Sequence, residues 1–186
     1  NVILPEFIVE GRITQFLLPW YTMIPGGVDP GQQIGGHAWV PIDDVNVWRY
    51  SMTWRASRPF SQEERDQILH GHGIHAEHIP GTYRALRNKS NDYLIDREMQ
   101  RTVNFPGILG IGEQDTACQE TMGPIYDRTK EHLGSADSAI IHMRRVLLRL
   151  ARDLEAGVEP SAARAADGYK VRSASCVLPR DISWLE

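Results

Sequence analysis

Val47-Trp48-Arg49-Tyr50-Ser51-Met52-Thr53-Trp54-Arg55 alternates with a period of two. Trp48, Tyr50, Met52 and Trp54 fall on one side, and Arg49, Ser51, Thr53 and Arg55 on the other, as side chains do along a strand with one apolar face. The aromatic side is expected to fill a core or to line an apolar pocket, core being the simpler role.

Upstream, β-branched and aromatic residues are dense from Val2 to Val9 and from Ile13 to Ile24, with Gly11 between them, which predicts two strands. Pro25-Gly26-Gly27 and Asp29-Pro30-Gly31 mark an exposed connection before His37-Ala38-Trp39-Val40-Pro41-Ile42, a further strand. Asp43-Asp44 then reverses the chain. These are paired carboxylates, but Asp favours turns for its own backbone bonding, so turn chemistry is the expected role. The first part of the chain therefore predicts antiparallel sheet.

Downstream the character becomes helical. Ser61 as N-cap, with Glu63 and Glu64 in the first turn, predicts a short helix to about Leu69. Residues 70–90 read as a long loop of the functional or covering kind. A helix from about Glu113 to Met122 should stop at Gly123-Pro124, with a short helix resuming to His132. Ile140, Met143, Leu147, Leu150, Ala151 and Leu154 recur at three- and four-residue steps and predict a long helix closed by Gly157 and Pro160. Its other face carries Arg144, Arg145, Arg149, Arg152 and Asp153, a solvated stripe. Ser161 to Asp167 is Ala-rich linker, and Tyr169 to Leu178 is again extended. Strands followed by helices place the fold in the α+β class.

The 186 residues are 41% hydrophobic and 24% charged, enough for one globular domain with a real core. A net charge of −4 and a pI near 6.0 argue against a nucleic-acid partner. No apolar run approaches membrane-spanning length and no signal peptide opens the chain, so a soluble cytoplasmic protein is expected. The absence of an initiator Met, before a strand-like opening, fits a piece of a longer polypeptide. Cys118 and Cys176 are too few for a disulfide scaffold and are expected reduced and partly buried.

For chemistry, His70, His72, His75 and His78 tempt as zinc or iron ligands but fit no familiar metal spacing, and the neighbouring glycines suggest a surface loop. Arg49 and Arg97 are possible anion partners, with surface or structural ion pairing the simpler role. Asp115 has the best claim. It lies among apolar groups near a helix start, and a carboxylate on the inner face of such a helix must be protonated, paired or bound to a cation. Spacing alone favours the simpler role of an ordinary helix N-cap or first-turn acid, set at the positive end of the helix dipole and needing no metal.

Asn91-Asp92-Tyr93-Leu94-Ile95-Asp96-Arg97, Gly112-Glu113-Gln114-Asp115 and Met122-Gly123-Pro124-Ile125-Tyr126-Asp127-Arg128 together resemble the catalytic domain of Rieske non-haem iron oxygenases of the phthalate dioxygenase type. Phe16-Leu17-Leu18-Pro19, Ala38-Trp39-Val40-Pro41-Ile42-Asp43-Asp44 and Val171-Arg172-Ser173-Ala174-Ser175 extend the likeness over nearly the whole chain. The resemblance implies a helix-grip, START-like fold, an antiparallel sheet around a long C-terminal helix. Residues 1–160 would be the C-terminal portion of the catalytic domain and 161–186 its extension.

It further implies a mononuclear Fe(II) held by two histidines and one carboxylate, with Asp115 matching the carboxylate and the histidines preceding Asn1. Gln119, one turn on, would hydrogen-bond that carboxylate. Trp48, Tyr50, Met52 and Trp54 would wall the pocket of an aromatic, carboxylate-bearing substrate that is hydroxylated or demethylated with O₂. Electrons would come from a reductase or ferredoxin through a [2Fe–2S] cluster on an N-terminal domain, since the cluster's Cys/His pairs are absent here. The complete protein would be a homotrimer. The same architecture also serves metal-free small-molecule binders, so a non-enzymatic binding module is the competing expectation.

Overall fold

The computed structural model describes residues 8–26, 33–179 and 182. Strand β1 (Ile8–Ile13) pairs antiparallel with the last strand, β6 (Ala174–Pro179). A separate four-stranded antiparallel sheet runs in the order β2 (Gln15–Leu17), β3 (Tyr21–Ile24), β4 (Ile34–Pro41), β5 (Val47–Trp54). The β4–β5 hairpin is the longest pairing, from Ile34 opposite Trp54 to Pro41 opposite Val47. Asp43 closes its turn by accepting the N–H groups of Val45 and Asn46.

The strand expected from Val2 lies outside the described residues except at its end, where Gly11 sits inside β1 and separates nothing. The single strand expected from Ile13 to Ile24 is two, β2 and β3. Pro19, with no N–H and a fixed φ, breaks the ladder between them.

Helix α1 (Gln62–Leu69) begins at a capping box in which Ser61 accepts from Glu64 N–H and the Glu64 carboxylate accepts from Ser61 N–H. Helix α2 (Arg97–Thr102), capped by Asp96, was not legible from periodicity because it is under two turns long. Helix α3 (Ile111–Thr121) stops before Gly123-Pro124 as expected. The segment after it makes only a three-residue 3₁₀ turn, Arg128–Lys130, where a short helix was expected to run to His132. Helix α4 (Ser138–Glu155) is the long one, and Leu147, Leu150 and Ala151 share an apolar groove with Leu18, Pro19 and Tyr169. Tyr169 Oη donates to Leu18 O at 3.1 Å.

The α+β expectation of antiparallel sheet with a long C-terminal helix holds, and among the described residues no barrel closes. The period of two in β5 also holds, but its faces are reversed. Tyr50, Met52 and Trp54 are 51%, 43% and 39% exposed, while Arg49, Ser51 and Thr53 turn inward toward α3 and the 70–85 loop. Arg49 finds its partners in α3, Thr53 in His75 of the loop and Ser51 in His37 of β4, which is what permits polar residues on a covered face. Among the described residues the buried apolar set is small, Ala38, Tyr93 and Ile108, so this aromatic strand side is not core in this chain.

Candidate metal and substrate site

The start of α3 is locked by backbone contact. A Cβ on Gly110 would lie 2.0 Å from Gly71 O, and one on Gly112 would lie 2.5 Å from Ile74 O. Gly112 N–H donates to Gly73 O at 2.9 Å. Only glycine permits this approach, so the run Gly110-Ile111-Gly112 presses the helix start onto the 71–74 loop.

Glu113 completes the lock. It is 4% exposed, its carboxylate lies 2.8 Å from Arg87 Nε, and it accepts Glu77 N–H at 3.3 Å. Burial pushes its pKa up, and Glu77 N–H and Arg87 pull against that shift. Arg87 also donates to the carbonyls of Tyr93 and Leu94. Those residues and Asp92 have φ values of 55°, 47° and 50°, a left-handed run that non-glycine residues seldom adopt. Tyr93 is buried and donates its hydroxyl to Glu120 Oε2 of α3 at 3.0 Å. Burial first, then Glu120, push its pKa to about 12.

On this fixed helix, Asp115 is exposed, not on the inner face that the sequence suggested. The inner acid is Glu113, two residues earlier. Asp115 accepts no side-chain hydrogen bond and forms no ion pair among the described residues, yet its charge acts on His37 and Arg49 across the sheet. Gln119 makes no hydrogen bond to Asp115 among the described residues. It lines a neighbouring cavity instead.

The inward face of β4 and β5 brings together polar groups that no sequence motif joined. His37 is 7% exposed and its Nδ1 lies 3.1 Å from Ser51 Oγ. Burial, then the positive charge of Arg49 and His75, lower its pKa to about 4, against an opposing pull from Asp115. His75 Nε2 lies 2.6 Å from Thr53 Oγ1, and burial followed by Arg49 lowers its pKa too. Both shifts favour the neutral imidazole. His75 is therefore a packed residue rather than a surface-loop one, whereas His70 and His78 are exposed as expected. Among the described residues no three His, Cys, Asp or Glu side chains converge to hold a metal. Cys118 is exposed, not partly buried as expected; Cys176 is partly buried.

An open cavity of about 400 Å³ lies where β5, the 76–85 loop and α3 meet; from α3 it is lined by Thr116, Gln119 and Glu120, and Asp115 does not line it. Trp48, Tyr50 and Tyr83 line it, with the Trp48 ring 5.1 Å from Tyr83 and 5.7 Å from Tyr50, and Arg49, His78 and Glu120 bring charge or polarity. Met52 and Trp54, expected in the same wall, do not line it. Arg49 Nη1 donates to Gly112 O at 2.9 Å and to Thr116 Oγ1 at 3.0 Å, so it braces the turn of α3 that carries Asp115. Arg97 is exposed and donates only to Gln100.

A family model described as LigXa C-terminal domain like matches residues 7–186. The chain is 33% identical, over 93% of its length, to the 3-chlorobenzoate-3,4-dioxygenase oxygenase subunit of Comamonas testosteroni, of which it covers 43%. It is 34% identical, over 78% of its length, to the phthalate 4,5-dioxygenase oxygenase subunit of Pseudomonas putida, of which it covers 33%. It thus spans less than half the length of the curated relatives it matches. The chain belongs to the LigXa C-terminal-like family, the C-terminal part of Rieske-type oxygenase subunits related to phthalate dioxygenase.

Proposed function

We propose that this chain forms the C-terminal part of the catalytic domain of an oxygenase that inserts oxygen into an aromatic, carboxylate-bearing substrate, with Asp115 as the carboxylate ligand of a mononuclear Fe(II). The observation that carries this is Asp115 itself, a carboxylate unengaged among the described residues, on a helix start immobilised by Gly110, Gly112, Glu113 and Arg49, in the helix whose Thr116, Gln119 and Glu120 line an aromatic-walled cavity. The donor fits a hard or borderline divalent ion, and a rigid support is what a metal ligand requires. This chain's described residues supply one ligand; two histidines from the longer polypeptide would complete the set. When bound, the iron would activate O₂, with electrons arriving from a reductase or ferredoxin through a [2Fe–2S] cluster carried elsewhere in the longer protein.

The chain's own residues do the rest. Arg49 and Glu113 hold the direction of α3, while Trp48, Tyr50 and Tyr83 bound the cavity and give a ring a face to pack against. His37 and His75, kept neutral, add no cationic repulsion toward a metal near Asp115. Homotrimers of a soluble cytoplasmic protein complete the proposal.

The test is Asp115→Asn in the full-length oxygenase. Product formation should be abolished and stoichiometric iron lost, with the circular dichroism spectrum unchanged. Retained turnover sinks the assignment. The 186-residue chain alone should bind Fe(II) only weakly, because one carboxylate cannot compete with water and buffer. Tight stoichiometric binding that survives Asp115→Ala contradicts the proposal.

A further inference from the structure

Arg49 is a half-buried cation. It forms no ion pair among the described residues, although burial lowers its pKa and so weighs against its charge. Its two bonds both leave from Nη1, to Gly112 O and Thr116 Oγ1. Nη2 and Nε engage no acceptor among the described residues, and these two nitrogens form the side-on fork that matches both oxygens of a carboxylate. A guanidinium braced on one nitrogen and open on the other two is preoriented, so little side-chain entropy is left to lose on binding an anion.

The surroundings suit one anion rather than many. Arg49 lines the 400 Å³ cavity together with Trp48, Tyr50 and Tyr83, which puts its guanidinium and three aromatic rings around one space. The three acids that act on Arg49 are each spoken for. Glu113 is paired with Arg87, Glu120 accepts the Tyr93 hydroxyl, and Asp115 is the proposed iron ligand. None lies close enough to pair with Arg49.

Resting on the proposed oxygenase function and deepening it, we infer that Arg49 is the specificity-determining anchor of the substrate, gripping the ring carboxylate through Nη2 and Nε while the ring packs among Trp48, Tyr50 and Tyr83. A carboxylate there would supply the paired counter-ion that the described residues do not.

The experiment compares benzoate with benzamide, equal in shape but different in charge, by calorimetric titration of the full-length oxygenase and its Arg49→Lys and Arg49→Gln variants. Lysine keeps a charge and can still brace α3, but it lacks the fork, so it separates recognition from folding. Wild type should bind benzoate at least tenfold more tightly than benzamide. Arg49→Lys should weaken benzoate about tenfold, and Arg49→Gln more, while benzamide changes less than twofold. Equal weakening of both probes would make Arg49 a brace only and overturn the inference, as would a wild type that binds neither probe or fails to distinguish them.

Product analysis with the same preparations keeps the two proposals apart. Arg49-dependent benzoate binding in an enzyme that oxidises no aromatic leaves the anchor standing and fells the oxygenase function. Oxidation of neutral aromatics alone, with benzoate binding indifferent to Arg49, does the opposite.

Discussion

Glu113 and Asp115 are two residues apart on one helix, and burial divides their work. Glu113 is enclosed with Arg87 and ties the loop to α3; Asp115 is exposed and unengaged. Truncating Glu113 to Ala leaves Arg87 unpaired in a partly enclosed site and should cost about 3 kcal/mol in urea unfolding. Asp115→Asn should cost under about 0.5 kcal/mol, as surface substitutions do. A reversal of that order would mean that the roles are misassigned. His37 gives a pH dependence with a definite sign. Its ordinary value is 6.5 and the fold holds it near 4, so between these values the unfolded chain carries the extra proton. Stability should therefore be lost as pH falls from 6.5 to 4, by at most about 3 kcal/mol from this residue. Carboxylates held low, such as Asp127 and Glu131, act in wild type and variant alike. The stability difference between wild type and His37→Asn should accordingly shrink across that window, and a pH-independent difference would rule His37 out.

At the scale of elements, the interface between α3 and the 71–74 loop is built from backbone rather than side chains. Gly112→Ala places a methyl group 2.5 Å from Ile74 O, and neither the helix start nor the loop can yield without breaking the Gly112 to Gly73 hydrogen bond. The substitution should cost about 3 kcal/mol by overpacking and should lower oxygenase activity more than stability alone explains, since it tilts the helix that carries Asp115. Gly134→Ala, with nothing within 4 Å of its Cβ, is the control and should be near neutral. Unfolding midpoints and kcat measured together check both. The Tyr93–Glu120 bond acts on the same helix from its far end, which is why a left-handed run at residues 92–94 can persist where it would otherwise relax.

For the whole molecule, the open question is what covers the aromatic side of the sheet. Tyr21, Tyr50, Met52 and Trp54 are exposed on the same side of strands β3 and β5, and soluble proteins seldom leave a large apolar patch bare. The 186-residue chain on its own should therefore self-associate with rising concentration. Sedimentation velocity should show this, and Met52→Lys should suppress it without lowering the unfolding midpoint. A monomer at all concentrations would show that the patch is tolerated.

The β4–β5 hairpin, the cap at Ser61, the stop at Gly123-Pro124 and the α4 stripe are all local or periodic, and the sequence by itself determined them, whereas the β2–β3 break and the short α2 escaped it. It also singled out Asp115 as a candidate through motif order. It could not say which side of β5 is covered, because alternation distinguishes two faces without naming the neighbour of either. Nor could it join His37 to Ser51, His75 to Thr53 or Arg49 to Gly112. The last pair joins a guanidinium to a backbone carbonyl 63 residues away, and no local rule links them. Only the tertiary structure decided that the polar face turns inward, because only there do Arg49, Ser51 and Thr53 find the partners that make their burial affordable.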